Sequence, residues 1–430
     1  MTKKEVSASV QAKTERLRQG KKRGVVICPL AGYNLNQARK KRGAGKMKAI
    51  IHGTIVMPDG ERRGKALLYT DRIIGLAEEA EALERADDIF DAEGRYVVPG
   101  LVDVHIHGYG GADVSDDDPD GVRRMAQCLL QNGVTSFLPT TLTVAWNRLA
   151  GICGHMRALR TESTRPDFPG AEILGIHLEG PFINPDYKGA QNPAYILAPD
   201  AERVLPFADI IRVLTLAPEM PGAGNFIETI RKKTTIALSM GHTGATFDQA
   251  MAAADRGVTR VTHLFNAMTQ MVHRQPGVVG AALSSDLYTE LIADTFHVSA
   301  GLFPLLVKAK GRRLVLITDA LRAAGMPDGE YENGGQAFVL KGVECRLRDG
   351  TIAGSVLRLN QAVKNLRDYG GITLAEAIRA ASLNAAASAG LAQSKGSLEA
   401  GKDADIVLMD ADCQVWQTIV RGVSKYQRIR

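Results

Sequence analysis

The stretch PGLVDVHIHGYGG, residues 99–111, decides how this chain is read. A short Leu/Val/Ile-rich run ends in His105-Ile106-His107, and glycines follow at 108, 110 and 111. On a β-strand, a spacing of two puts both imidazoles on one face, where they can grip one ion together. The pair by itself fits two ordinary polar residues equally well. Its context adds weight: it closes an apolar strand, and the glycines let backbone pass close to a bound group.

Seven further runs of the same kind follow: GVTSFLP (133–139), ILGIHLE (173–179), IRVLTLAPE (211–219), TIALSMGH (235–242), VTRVTHLFN (258–266), ELIADTFH (290–297) and RLVLITDA (313–320). Their nearly unbroken apolar character suits buried parallel strands. Helical patterns lie between them at 121–131, 144–160, 246–256 and 299–310, and residues 356–390 carry two more. Eight βα units predict a (β/α)8 TIM-like barrel of about 250 residues, here spanning 99–390. Residues 47–98 read instead as short strands broken by turns, and 391–430 repeat that grammar. These two segments are expected to pair as one small β-sandwich domain.

Composition agrees with an enzyme-sized globular protein: 430 residues, 45% hydrophobic and 23% charged, too apolar for general disorder. The absence of a long apolar run argues against a membrane span. The net charge of +6 conceals an asymmetry, because residues 1–46 carry +11 and the rest carries −5. A nucleic-acid role would therefore rest on that basic arm alone. Met47 opens a strand directly, so 1–46 reads as an upstream extension or a misassigned start, with a targeting peptide as the alternative. The five cysteines are scattered and form no CxxC pair, which fits a reducing cytoplasm.

Barrel chemistry sits at the C-terminal ends of strands. Here those ends carry His105, His107, Glu179, His242, His263, His297 and Asp319. A carboxylate ending a buried strand, as Glu179 does, must be paired or metal-bound. A salt bridge across the barrel is the simpler alternative. His242 and His263 end successive strands, and with Glu179 they make a His₂Glu set that leaves positions open for water and substrate. Asp319 either caps the following helix or acts as general base and acid, moving a proton from activated water to a leaving amine. His177 reads as a packed or supporting residue, and His52 and His155 as structural or exposed. His273 lies near the mouth without a defined strand position.

With this order complete, the chain resembles the amidohydrolase superfamily over residues 47–430, and within it the N-acetylglucosamine-6-phosphate deacetylases. The strings that carry the likeness are HLEGPFINPDYKGAQNP (177–193), GHTGAT (241–246), THLFNAM (262–268), HRQPGVVGAAL (273–283), ITDALRAAGMPDGEY (317–331) and DGTIAGS (349–355). GSLEAGKDADIVLMD (396–410) supports the fold more than the substrate. The resemblance implies hydrolysis of the sugar acetamido group, with release of acetate and glucosamine 6-phosphate. It implies Glu179, His242 and His263 as metal ligands, and a second ion through His105 and His107 with the Glu bridging. Zn²⁺ or Fe²⁺ suits such donors. Asp319 would be the acid/base and His297 a sugar contact. Arg274 would bind the phosphate, across a homodimer interface, and Asn266 and Ala267 would add backbone contacts.

Two positions depart from the family strings. Gln191 stands where a substrate-touching histidine is usual, and Thr295 stands in place of a glycine, which should alter the loop carrying His297. Three other functions compete: deacetylation of N-acetylgalactosamine 6-phosphate, hydrolysis of a cyclic amide, and a metal-free scaffold or binding protein on the same fold. The intact ligand set speaks against the last.

Overall fold

The computed structural model describes residues 46–429. The basic arm therefore lies, but for Lys46, outside the described residues. The eight expected barrel strands are all present: Leu101–Ile106, Val134–Thr141, Ile176–Glu179, Ile211–Leu216, Ala237–Met240, Arg260–Val261, Tyr288–Ile292 and Leu314–Ile317. Each pairs in parallel with the next. Backbone hydrogen bonds complete the ring between the eighth and first strands: Asp319 N–H donates to His105 O and His107 N–H to Ala320 O, both at 2.9 Å. Asp103 adds a side-chain clasp, accepting from the Thr318 hydroxyl at 2.6 Å. Burial pushes the Asp103 carboxyl up to about 7, against the lowering effect of that hydrogen bond.

Helices alternate with these strands as expected, with small shifts of their ends: Pro119–Leu129, Trp146–Ser163, Phe247–Arg256 and Phe303–Lys310. Helices at Ala223–Lys233 and Gly277–Ser284 belong to the same pattern and were not expected. The latter is a run of Gly, Val and Ala, buried nearly all round, so it shows no amphipathic period to read. Residues 356–390 form three helices rather than two, because Ser382 breaks the third from the second. A four-stranded antiparallel sheet at Gly329–Asn333, Gln336–Lys341, Glu344–Leu347 and Ile352–Gly354 follows the eighth strand. It leans on the barrel mouth through its own small core of Leu321, Phe338, Leu340 and Cys345.

Residues 48–99 and 406–427 meet as one sandwich. A four-stranded sheet is built from residues 48–91, and a six-stranded sheet joins strands from 54–99 and 406–427. In the latter, Tyr96–Pro99 pairs antiparallel with Ile406–Met409. The connection to the barrel is electrostatic as well as apolar. Lys395, nearly fully buried, lies 2.7 Å from Glu172, 3.0 Å from Asp403 and 2.8 Å from Asp405. Arg421 adds contacts to Asp403 at 3.3 Å and Glu172 at 3.6 Å. Burial opposes the lysine's charge, but the three carboxylates outweigh it and raise its pKa above the ordinary range. This explains the KDAD signature physically, since Asp403 and Asp405 are two of the three anions. Replacing Lys395 by Met strands those carboxylates. The variant is expected to lose about 3–5 kcal/mol of stability, read as a lower urea midpoint.

Candidate active site

Six side chains from five strands converge at the barrel mouth. Glu179 is central. Its Oε1 lies 3.1 Å from His263 Nε2, 3.2 Å from His105 Nε2 and 3.4 Å from His242 Nε2. Its Oε2 lies 3.3 Å from His107 Nε2. Asp319 Oδ1 stands opposite, 3.1 Å from His107 Nε2 and 3.4 Å from His105 Nε2. All six residues are less than 10% exposed. They fall into two trios whose ligand atoms lie within 4.8 Å of one another: Glu179, His242 and His263, and His105, His107 and Asp319.

The donor chemistry fits a cation. His107 Nδ1 faces Thr140 O at 3.2 Å and His242 Nδ1 faces Tyr187 O at 3.1 Å. Carbonyl oxygens only accept, so these Nδ1 atoms carry hydrogens and the Nε2 lone pairs turn inward. There His242 and His263 bring Nε2 atoms to 3.1 Å of each other, and His105 and His107 to 3.3 Å. Glu179 Oε1, buried among three imidazoles, makes no well-aligned hydrogen bond. Only a positive charge satisfies such a gathering: protons in the metal-free protein, divalent ions when loaded.

Local backbone is strained where these groups emerge. His242, His263 and Asp319 have positive φ of 49°, 28° and 51°, as do Phe265 and Ala267 on the same rim. Left-handed conformations of non-glycine residues concentrate where surrounding structure enforces them. Thr295 belongs to this set, with φ 68°. There a β-branched residue stands in a left-handed conformation that it rarely adopts. His297 follows, its Nδ1 2.6 Å from Asp294 Oδ2. Gly108, after the histidine pair, is required for another reason: a Cβ there would lie 2.6 Å from Arg322 N.

A cavity of about 290 Å³ opens over the six residues. Of the other expected substrate contacts, Gln191, Asn266, Ala267 and His297 line it, and Arg274 does not. Arg274 is exposed on the 270–276 loop beside exposed Met271 and Val272. Gln191 is buried and bridges the site, donating to Glu179 Oε2 at 2.6 Å while its Oε1 accepts from Thr143 N–H at 2.6 Å. Sequence reasoning missed Leu142, Phe265 and the Thr351–Gly354 edge of the inserted sheet, which also line the cavity. Apolar loop residues carry no signal of their own. It also missed Glu290, which accepts from His105 Nδ1 at 3.0 Å. The signal was available, because Glu290 is an acid inside a buried strand, as Glu179 is. His177 packs on His105 with ring centroids 4.6 Å apart and faces Thr215 Oγ1, in the supporting place expected of it.

Charge in the metal-free site is shared. Burial opposes protonation of His107, but Asp319 and Glu179 raise it to about 9. Burial would raise Glu179 and Asp319. The imidazoles, His105 and His242 for Glu179 and His107 and His105 for Asp319, hold both below the usual carboxylate range. An entering ion must displace the His107 proton. Metal affinity should therefore rise with pH up to about 9. Between pH 9 and pH 7 the His107 proton alone should lower it about 50-fold, measured by chelator competition.

A parallel barrel with a metal-competent His/Glu/Asp cluster at its mouth and a sandwich made from residues 48–99 and 406–427 defines a class: hydrolases of the amidohydrolase kind. The chain belongs to the amidohydrolase family, whose model matches residues 96–427. It is 40% identical over 332 residues to the N-acetylglucosamine-6-phosphate deacetylase of Bacillus subtilis (strain 168), covering 76% of this chain and 83% of that protein. It is 37% identical over 339 residues to the N-acetylgalactosamine-6-phosphate deacetylase of Escherichia coli O157:H7, covering 78% and 89%. Its fold is similar to that of a mutant N-acetyl-D-glucosamine-6-phosphate deacetylase from Mycobacterium smegmatis, solved in complex with N-acetyl-D-glucosamine-6-phosphate. The TM-score is 0.81 at 30% identity, with 90% of this chain and all of that chain covered.

Proposed function

We infer that this chain is an N-acetylglucosamine-6-phosphate deacetylase, hydrolysing the acetamido group to release acetate and glucosamine 6-phosphate. The observation that carries the reading is the convergence of Glu179, His242 and His263 opposite Asp319 under one open cavity. Relatives bearing that name cover most of the chain. Glu179, His242 and His263 would hold one divalent ion, and His105 and His107 a second, with Zn²⁺ or Fe²⁺ suited to these nitrogen and oxygen donors. Such an ion supplies Lewis acidity, which lowers the pKa of water and stabilises the charge that develops on an amide oxygen.

The chain's own groups do the rest. Asp319 would take a proton from the attacking water and return it to the leaving sugar amine. His297, oriented by Asp294, lines the cavity and would bind a sugar hydroxyl. Asn266 and Ala267, on the strained rim, offer backbone to the sugar or its phosphate. Gln191 holds Glu179 Oε2 and presents its amide toward the same space. No Lys or Arg is among the cavity's described lining residues, although a phosphate needs a cation. Arg274, exposed on the same loop as Met271 and Val272, would supply that cation to the cavity of a second copy in a homodimer. Among the described residues no helix is long and apolar enough to cross a membrane. The four described cysteines are free, which suits the cytoplasm.

Asp319→Asn should lower kcat by at least about 100-fold while the Glu179–His242–His263 ion stays bound, read by turnover and metal analysis on one sample. The galacto epimer is the second reading, favoured by the Escherichia coli relative. Comparing kcat/KM for the two phosphorylated N-acetyl hexosamines and their unphosphorylated forms decides between them. Preference for the galacto sugar would replace the assignment, and turnover of neither would remove it. Arg274→Ala should raise KM for the phosphorylated sugar alone, and an unchanged KM would refute its role.

A further inference from the structure

We infer that Glu290, anchored by Arg260, is a positioning residue that builds the ion position at His105. This rests on the reading of the site as a metal centre and is independent of which sugar it serves. Glu290 sits on the seventh barrel strand, 1% exposed, with its carboxylate turned into the barrel. An isolated carboxylate there would be prohibitively costly. Arg260 on the neighbouring strand, fully buried, pairs with Glu290 Oε1 and donates to Ser388 Oγ at 2.6 Å.

The other carboxylate oxygen is what gives the pair a purpose. Glu290 Oε2 accepts from His105 Nδ1 at 3.0 Å and from the His263 backbone N–H at 3.2 Å. One oxygen thus touches a residue of each trio. The first bond fixes the His105 tautomer with its hydrogen on Nδ1, so Nε2 presents a lone pair toward Glu179, His107 and Asp319. The second fixes the chain where His263 leaves its strand at positive φ. The other imidazoles are steadied differently. His107 and His242 rest on backbone carbonyls, and His263 Nδ1 has no hydrogen-bond partner among the described residues. Of the four imidazoles in the two trios, His105 alone turns its Nδ1 to an anion, which raises its basicity as a ligand. A purely structural ion pair would need neither contact.

The test uses the full-length protein, stripped of metal and titrated with Zn²⁺, with ions per subunit and both affinities measured. Wild type is expected to bind two ions. Glu290→Gln should weaken one of them by about 10–100-fold and leave the other within a few-fold, because a carboxamide oxygen cannot serve Arg260 and His105 together. His105→Ala should weaken the same ion, and the double variant should lose nothing beyond His105→Ala. Glu290→Asp keeps the charge opposite Arg260 but withdraws it from His105. It guards against a folding defect and should show the same one-ion loss. Unchanged affinities in Glu290→Gln and Glu290→Asp would overturn this inference alone, as would equal weakening of both ions or a wild type that binds only one. A wild type that binds none would overturn the metal reading of the whole site.

Discussion

The structure depends on keeping charge inside a barrel. Glu179, Glu290, Asp319 and Asp103 are four carboxyl groups within or just above the ring of strands, and all are nearly inaccessible to water. Each has a specific answer. Asp103 is pushed toward neutrality and spends its hydrogen bonds on the seam between the first and last strands. Glu290 is matched by Arg260. Glu179 and Asp319 are matched only by imidazoles, which are positive only when protonated or metal-bound. The last pair is where the fold leaves its electrostatics unfinished, as perturbed groups at candidate functional sites do.

The layers around the site follow from this. Parallel strands deliver side chains to one end of the barrel. The positive φ angles at His242, His263 and Asp319 turn those side chains inward from the strand ends rather than onward along the chain. Conformations of this kind cost about 1–3 kcal/mol each and persist because packed neighbours over-determine them. The inserted antiparallel sheet closes one side of the cavity with Thr351–Gly354. At a distance, the small sandwich ties residues 48–99 to 406–427, with Lys395 as the charged pin between it and the barrel edge at Glu172. Each of these layers limits where the six clustered side chains can be.

Gln191 is held from two sides. The glutamine reaches back, clamping Glu179 Oε2 with one end and the Thr143 backbone with the other. It faces the cavity and the carboxylate at once. At Thr295 the chain accepts a β-branched residue in a left-handed turn, and His297 beyond it lines the cavity.

What could be read from the linear chain was what obeys short-range rules. Strand runs have a length and an apolar character, and a polar residue closing such a run is conspicuous, so the barrel, Glu179, His242, His263 and the His105–His107 pair were all legible. Helix Gly277–Ser284 was not, because a segment buried all round carries no period. The inserted sheet was not, because its alternation is short and its strands pair only with each other. Glu290 was visible as an acid in an apolar run, but its partners Arg260 and His105 lie 30 and 185 residues away, and only folding makes them neighbours. The sequence alone determined which residue types stand at the ends of which strands. The tertiary structure decided which nitrogen faces which oxygen, because that depends on ring closure and on backbone angles set by contacts between distant parts of the chain.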